Sequence, residues 1–290
     1  MLAKHLSALA IVAEDGNTYN LYSGQNPADM LFLDGAGMAT IRRITQRSPL
    51  LSGVTDRGFR LEPRKMTLGL FLSQIDELTA DTMRDKLAYI FGPTLTALQL
   101  RATRLDGAVK AIDCYVDGTM DFPQSERLGA SHKILVPLYA PDPTWYDPTR
   151  LAVTQSLASL PLTGTQIPAA GLTADDWPVI EVTGPITNMI ITHSPVADTI
   201  DLTGATIPAL ETWAFDLRPG FKTVQRMSDL ANRIDKITAS SIRYFGTMRV
   251  VNQKLSATYA QTFNRFSVTG SGTTAASSIT VRYYRRYLSL

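Results

Sequence analysis

The chain has 290 residues, and 44% of them are hydrophobic while 19% are charged, a balance typical of folded globular proteins rather than disordered chains. Its length suits one large domain or two ordinary domains. A formal net charge of +2 is too small to indicate nucleic acid or an acidic membrane as the main partner. The single cysteine, Cys114, excludes an internal disulfide framework, so packing must hold the fold.

The first apolar stretch, residues 6–13, has the length of a weak signal peptide, but Glu14-Asp15-Gly16-Asn17 follows it without a small-residue cleavage site. We interpret it as a first strand closed by a turn, because Asp-Gly is a strong hairpin signal. No apolar run approaches the ~20 residues that a membrane-spanning helix needs, so the sequence predicts no membrane partner.

Short β-strands dominate the first half. The clearest is Arg64 to Leu72, in which every second residue from Met66 is apolar, so one face of the strand is hydrophobic. Asp56 to Gly58 is predicted to be a turn, and Gly118 to Gly129 a polar, mobile loop. The other predicted strands are Leu6–Val12, Thr18–Tyr22, Leu31–Leu33, Met38–Arg47, Leu50–Thr55, Phe59–Leu61, Leu95–Leu100, Val109–Val116 and Lys133–Leu138.

One helix is predicted after the clearest strand. Asp76 and Thr79 are candidate caps, and the apolar residues Met83, Leu87 and Ile90 recur three to four positions apart. Gly92-Pro93 then ends the helix. A sheet that carries one helix predicts an α+β domain for this half.

The stretch Ile134 to Pro148 marks the end of that domain. Four prolines follow an apolar run, and each favours extended backbone at its own position and at the one before. Trp145 and Tyr146 lie inside this connector and are expected to dock as anchors, because large aromatic side chains are costly to leave in water. The sequence therefore predicts a domain at 1–148, a connector at 149–176 and a second domain at 177–290.

The second half is predicted to be almost entirely β. Leu151 to Ala174 carries no charge and is interpreted as a strand arm followed by a linker, and Trp177 is a third candidate anchor at the entry to the next domain. Asp229 to Ile237 is a candidate short helix whose role stays open. Short strands separated by turn signals favour an antiparallel sandwich or jelly roll. They are Val179–Thr183, Met189–His193, Thr199–Leu202, Thr212–Leu217, Lys222–Arg226, Ser241–Phe245, Phe263–Thr269 and Ser278–Tyr287.

A search for catalytic or ligand-binding chemistry finds none that the sequence supports. His5, His132 and His193 lie far apart and lack a second ligand at metal-binding spacing, so no metal site is predicted. Gly35-Ala36-Gly37 is an incomplete dinucleotide fingerprint, because Thr40 replaces its third glycine and a β-branched segment follows. Neither a P-loop nor a nucleophile elbow occurs. We expect no catalytic residue and no cofactor.

Three aromatic segments allow a functional and a structural interpretation. Asp142 and Asp147 flank Trp145, and Asp175-Asp176 precedes Trp177, which permits sugar or calcium binding but agrees better with turn chemistry. The basic, aromatic segment 281–290 permits nucleic-acid binding. Its strict alternation agrees better with an ordinary strand.

The order of these signatures resembles the distal tail proteins of long, flexible-tailed bacteriophages, the siphoviruses. The resemblance covers nearly the whole chain, and it depends on the order and spacing of several weak motifs. They are Pro63-Arg64 with its strand, the helix end Phe91-Gly92-Pro93, the connector 142–148, and the segments Trp177–Asn188, Phe215–Val224, Phe263–Gly272 and Ile279–Tyr287.

The resemblance implies a structural virion protein at the tail tip, assembled in the host cytoplasm, and not an enzyme. Such proteins form a homo-hexameric ring from an N-terminal belt domain and carry a C-terminal galectin-like β-sandwich. The ring joins the tail tube protein to the tail-tip hub protein, and DNA passes through its lumen without specific binding. The tape measure protein is a further candidate partner.

A carbohydrate-binding module is the alternative, because galectin-like sandwiches bind glycans and some relatives carry sugar-binding insertions. This chain has no long insertion in its second half, and a lectin needs an exposed aromatic platform, for which Trp177 and Trp213 are the candidates. For the ring, we expect residues 1–148 to carry the contacts between copies. Arg42, Arg43 and Arg64 are then expected to face protein partners rather than the channel, since a basic lumen would bind DNA.

Overall fold

The computed structural model describes residues 6–21, 29–47, 55–73, 77–121, 131–168, 172–194, 196–242, 245, 247–252, 254 and 263–290. The chain divides into two compact units, which are described separately. Unit 1 comprises Met1–Pro148 together with Tyr287–Leu290, and unit 2 comprises Thr149–Arg286. The predicted loop at 118–129 and the predicted strand at 50–55 lie mostly outside the described residues. His5 and the side chain of His132 also lie outside them.

The first half of the chain contains ten strands and one helix within its described residues. The strands are β1 (Leu6–Val12), β2 (Thr18–Asn20), β3 (Asp29–Asp34), β4 (Ile41–Gln46), β5 (Thr55–Leu61), β6 (Arg64–Ser73), β7 (Leu98–Arg104), β8 (Val109–Val116), β9 (Ser131–Ala140) and β10 (Trp145–Tyr146). The helix α1 spans Glu77–Ile90.

The described second half contains ten strands, and residues Ile234–Lys236 form a 3₁₀ helix. The strands are β11 (Leu151–Ser156), β12 (Leu162–Pro168), β13 (Val179–Thr183), β14 (Ile186–Ser194), β15 (Asp198–Ile207), β16 (Thr212–Asp216), β17 (Thr223–Arg226), β18 (Phe263–Ser271), β19 (Ser278–Tyr283) and β20 (Arg286–Tyr287). No helix of the described chain is long and apolar enough to cross a membrane.

Unit 1 is built on an antiparallel sheet with the strand order β2-β1-β7-β8-β9-β6-β3, to which β10 is attached at β8 and β20 at β10. The predicted alternation of β6 is confirmed, because Met66, Leu68, Leu70 and Leu72 are all buried. Helix α1 is confirmed as well, and it contributes Ala80, Leu87 and Ile90 to the same core. A sheet that buries one face against a helix is the α+β arrangement expected for this half.

Unit 2 contains two antiparallel sheets with a common core. Their strand orders are β11-β19-β13-β16-β17 and β12-β18-β14-β15. Phe215 from the first sheet and Phe266 from the second both lie fully buried in one hydrophobic cluster. Strands β18 and β19 alternate buried and more exposed residues, as expected where each sheet buries one face.

Residues 151–156 and 162–168 of the predicted connector 149–176 form strands of the unit 2 sheets instead of a linker. The predicted strand arm is present as β11, which pairs with β19 from Leu151 to Ser156. The following residues add β12 to the other sheet by pairing with β18. The sequence did not predict β12, because its Thr, Gly and Pro residues are common in linkers and loops and give little apolar alternation.

The predicted helix at Asp229 to Ile237 is wrong. The Asp229 carboxylate accepts hydrogen bonds from the Arg226 guanidinium and from the Ala231 amide, which forms a turn instead. Residues 231–233 then run beside β17, with the Arg233 amide donating to the Val224 carbonyl. Side-chain bonds of this kind compete with helix formation, so one 3₁₀ turn is all that forms.

Three smaller expectations also differ. Asp56 to Gly58 lies inside β5 rather than in a turn, next to an irregularity in the pairing with β4. The described residues of the predicted strand Ser241–Phe245 are not in a strand, because the Ser241 amide closes a turn on the Thr238 carbonyl. The last strand breaks after Tyr283, where the Tyr284 amide donates to the Asp176 carboxylate.

Candidate assembly interface

His193 and Cys114, the histidine and cysteine side chains that the structure describes, are both buried. His193 is fully buried, hydrogen-bonds Asn264 and stacks on Phe266, and burial lowers its pKa to about 4. Burial raises the pKa of Cys114 to about 12, which makes it a poor nucleophile. No group of three or more His, Cys, Asp or Glu that could hold a metal occurs among the described residues.

The two acidic pairs beside tryptophans bond within their own segments or to nearby backbone and side chains. Asp142 accepts hydrogen bonds from the amide and the hydroxyl of Thr144, which is turn chemistry. Asp175 pairs with Arg249 and accepts from the Asn252 amide. Asp176 is buried and pairs with Arg286. These contacts favour the structural interpretation of both pairs.

The three predicted anchors lie in different environments. Trp145 is fully buried in the core of unit 1. Tyr146 is nearly buried, and its hydroxyl donates to Asp113 and accepts from Gln99. Trp177 is partly buried against the core of unit 2. Their contribution to stability stays a prediction.

Of the two candidates for a sugar platform, one is buried and the other is only partly exposed. Trp213 lies in the core of unit 2 with 4% of its surface exposed, and Trp177 is partly buried. A stacking platform needs an aromatic ring that a sugar can reach, so the carbohydrate alternative gains no support from these residues.

Arg64 is an internal residue, and the expectation that it faces a protein partner is wrong. Its five N–H donors all bond to backbone carbonyls, two to Pro143 and one each to Gly35, Gly37 and Leu288, at 2.5 to 3.0 Å. Burial lowers the pKa of its guanidinium, and the carbonyl dipoles stabilise the charge. Two residues of the incomplete dinucleotide fingerprint thus bind an arginine side chain through their carbonyls. The four carbonyls that accept from Arg64, of Gly35, Gly37, Pro143 and Leu288, are here called the cradle.

Residues 287–290 complete this cradle. The Ala39 amide donates to the Leu288 carbonyl, and the Leu290 amide donates to the Ala36 carbonyl. Lys110 donates to the Ser289 carbonyl and lies over the Tyr287 ring at 4.4 Å. Residues 35–40, which lead into β4, are therefore held by Arg64 and by a segment about 250 positions away in the sequence.

The hairpin of β4 and β5, here called the arm, forms a separate two-stranded sheet in the described structure. All six residues of β4 are exposed, and Phe59 on β5 has 59% of its surface exposed. Ile41 and Ile44 are also exposed. An isolated hairpin is marginally stable in water, and exposed apolar side chains on it indicate a contact surface.

The charges on the arm are mainly basic. The arm and the residues directly after its two strands carry Arg42, Arg43, Arg47, Arg57 and Arg60 against Asp56 and Glu62. The ion pairs between these residues are on the surface. Arg43 contacts Asp56 at 3.0 Å with 65% of its side chain exposed. Surface pairs of this kind leave most of each arginine available to a further partner.

The outer face of the unit 1 sheet, which points away from the buried core, is apolar along β3, β6, β9 and the end of β8. Its register aligns Phe32 with Gly69 and Gly69 with Leu135, and Tyr139 with Tyr115. The residues that define this outer face are Phe32, Phe71, Tyr115, Leu135, Pro137 and Tyr139, all half-buried or exposed.

Gly69 has a specific part in this face. A β-carbon at position 69 would lie 2.3 Å from the Phe32 ring, so the ring lies directly on the glycine backbone. This packing of an aromatic ring over a strand glycine covers backbone that a side chain would otherwise cover. The sequence signal for the outer face is the unbroken apolar run 134–139, since strands apolar on both sides are covered on both sides.

Comparisons with known proteins identify the fold by structure alone. No family model and no curated protein matches the sequence. The crystal structure of the SPP1 Dit protein, part of the hub adsorption apparatus of Gram-positive-infecting phages, matches with a TM-score of 0.65 at 13% identity. That match covers 96% of this chain and 99% of SPP1 Dit.

Chains from the phage p2 baseplate in its activated conformation, solved with Ca and with Sr, match with a TM-score of 0.54 at 7% identity. They cover 98% of this chain and 99% of the baseplate chain. These neighbours are structural components of phage hubs and baseplates and are not enzymes. The chain therefore has, over almost its whole length, the β-rich fold of phage tail hub and baseplate proteins.

Proposed function

We propose that this protein is a distal tail protein of a siphovirus, a structural virion protein of the tail tip. The observation that carries the proposal is the fold likeness to SPP1 Dit, which extends over both units and covers nearly the full length of each chain. A likeness confined to one unit would support only a common module. Two features of unit 1 support an assembly role for it: the separate arm, and the apolar outer face of its sheet.

In this proposal the protein forms a homo-hexameric ring through a belt domain at 1–148, completed by residues 287–290. The second half is a galectin-like sandwich that projects outward. The ring joins the tail tube protein to the tail-tip hub protein, with the tape measure protein as a further partner, and DNA passes through its lumen. A cyclic ring needs two different complementary surfaces on each copy, which an arm and a sheet face can provide.

Native mass spectrometry of the full chain, over a range of protein concentrations, tests the proposal. We expect a six-copy species, and electron microscopy of the same sample should show rings with six-fold symmetry. Addition of the tail tube protein from the same phage should produce a larger complex. A chain that stays monomeric at high concentration and alongside the tube protein would defeat the proposal.

A further inference from the structure

We propose that the arm of one copy docks on the outer face of the unit 1 sheet of the next copy. The inference rests on the proposed ring and adds to it the two surfaces that meet. Within one copy, the described strands of the arm pair only with each other, so its exposed side chains are available to a neighbour. The two surfaces differ from each other, as a head-to-tail contact requires.

The apolar parts of the two surfaces match. The arm presents Phe59, Ile41 and Ile44, which are exposed aromatic and aliphatic side chains. The outer face presents Phe32 and Tyr115 beside half-buried apolar neighbours on β6 and β9. Contact between the two would remove apolar surface from water on both copies, which favours association.

The charges of the two surfaces are opposite. The arm and the residues directly after its two strands carry five arginines against two acids. On the outer face and its edges, acidic residues outnumber basic ones: these are Asp29, Asp34, Asp113, Asp117 and Asp121 against Lys65, Arg101 and Lys133. Asp117 and Asp121 are exposed beside the outer face, and the backbone of Asp121 pairs with that of Leu135.

Because the arm and the outer face carry opposite charges, a second copy of the chain is a better partner for the arm than DNA. A basic arm alone would also bind a polyanion, whereas the acidic edge would repel it. Arm and outer face together form a self-complementary set on one chain, and charge complementarity sets the register of such a contact. The same contact covers the arm, which an isolated hairpin needs for stability.

Two charge-reversal variants of the full chain test the docking. One carries Arg42→Glu with Arg43→Glu on the arm, and the other carries Asp117→Lys with Asp121→Lys beside the outer face. All four side chains are exposed, so both variants should fold, which circular dichroism will check. Each alone should raise the protein concentration needed for assembly by about tenfold or more, from the loss and reversal of exposed ion pairs.

An equimolar mixture of the two variants should restore assembly. Glutamates on one arm then meet lysines on the neighbouring face, and the native arm of the second variant meets the native face of the first. An alternating ring of six satisfies every contact. The matched control, Arg104→Glu with Lys86→Glu, reverses two exposed cations of unit 1 that belong to neither the arm nor the outer face, and it should assemble as the parent does.

A second comparison tests the apolar contact. Phe59→Ser should weaken assembly, while Leu105→Ser, at an equally exposed turn of unit 1, should not. The docking is overturned if the arm variant forms rings at the same protein concentration as the parent. It is also overturned if the mixture of the two charge-reversal variants fails to assemble. A parent chain that never assembles overturns both the docking and the proposed ring.

Discussion

Replacing Arg64 with methionine should destabilise unit 1 severely. The change removes five hydrogen bonds from a charged donor and leaves four buried or part-buried carbonyls, of Gly35, Gly37, Pro143 and Leu288, without that partner. Leaving a buried acceptor without its hydrogen-bond partner costs about 1–3 kcal/mol per group, so four carbonyls, three of them only part-buried, together cost about 3–5 kcal/mol. We expect a loss in that range, because methionine fills the volume but offers no donor.

Arg64→Lys should have an intermediate effect. Lysine keeps the charge but has three donors on one nitrogen, so it cannot reach all four carbonyls in the plane that a guanidinium spans. Lys65→Met is the matched control, since Lys65 is adjacent on β6, is 81% exposed and makes one ion pair at 3.8 Å. The control should change the free energy of unfolding by less than about 0.5 kcal/mol.

Thermal unfolding and hydrogen exchange together provide the measurement. A loss of about 3–5 kcal/mol corresponds to a fall of about 6–20 °C in the melting temperature of a unit of this size. The amides of Ala39 and Leu290, which bond across the cradle, should lose protection from exchange. If Arg64→Met melts within about a degree of the parent and keeps these amides protected, the hydrogen bonds of Arg64 do not stabilise residues 35–40, which lead into the arm.

Four further predictions concern the Trp145 anchor, the folding of unit 2, glycan binding and the buried histidine. Trp145→Ala should cost about 3–5 kcal/mol, as a fully buried large aromatic does, and a melting temperature close to the parent would contradict its role as an anchor. The fragment 149–286 should fold alone by circular dichroism, whereas 175–290 should not, because it lacks β11 and β12; equal folding of both would show that these strands are dispensable. A glycan array should give no binding, and reproducible binding abolished by Trp213→Ala would revive the carbohydrate alternative. The pKa of His193 falls to about 4 from 6.5, so the unfolded state takes up its proton first and stability should fall as pH drops from 6.5 to 4. His193→Asn should flatten this dependence in chemical unfolding, and an unchanged slope would assign the effect to other groups.

The sequence alone determined the elements whose pattern is local. The alternation of β6 and the three-to-four spacing in α1 place apolar residues on one face, and the chain must bury that face whatever its partner is. The many short strands of the second half follow from the same alternation and from turn residues. Charge and composition lead in addition to the expectation, still a prediction, that nucleic acid is not the main partner.

Only the tertiary structure decided which distant segments meet. Arg64 resembles any exposed cation in sequence, and its partner Leu288 lies 224 positions away. Residues 151–168 resemble a linker until the pairing of β11 and β12 with β19 and β18 supplies their backbone hydrogen bonds. Pairings across such separations depend on the global path of the chain, which local periodicity does not encode.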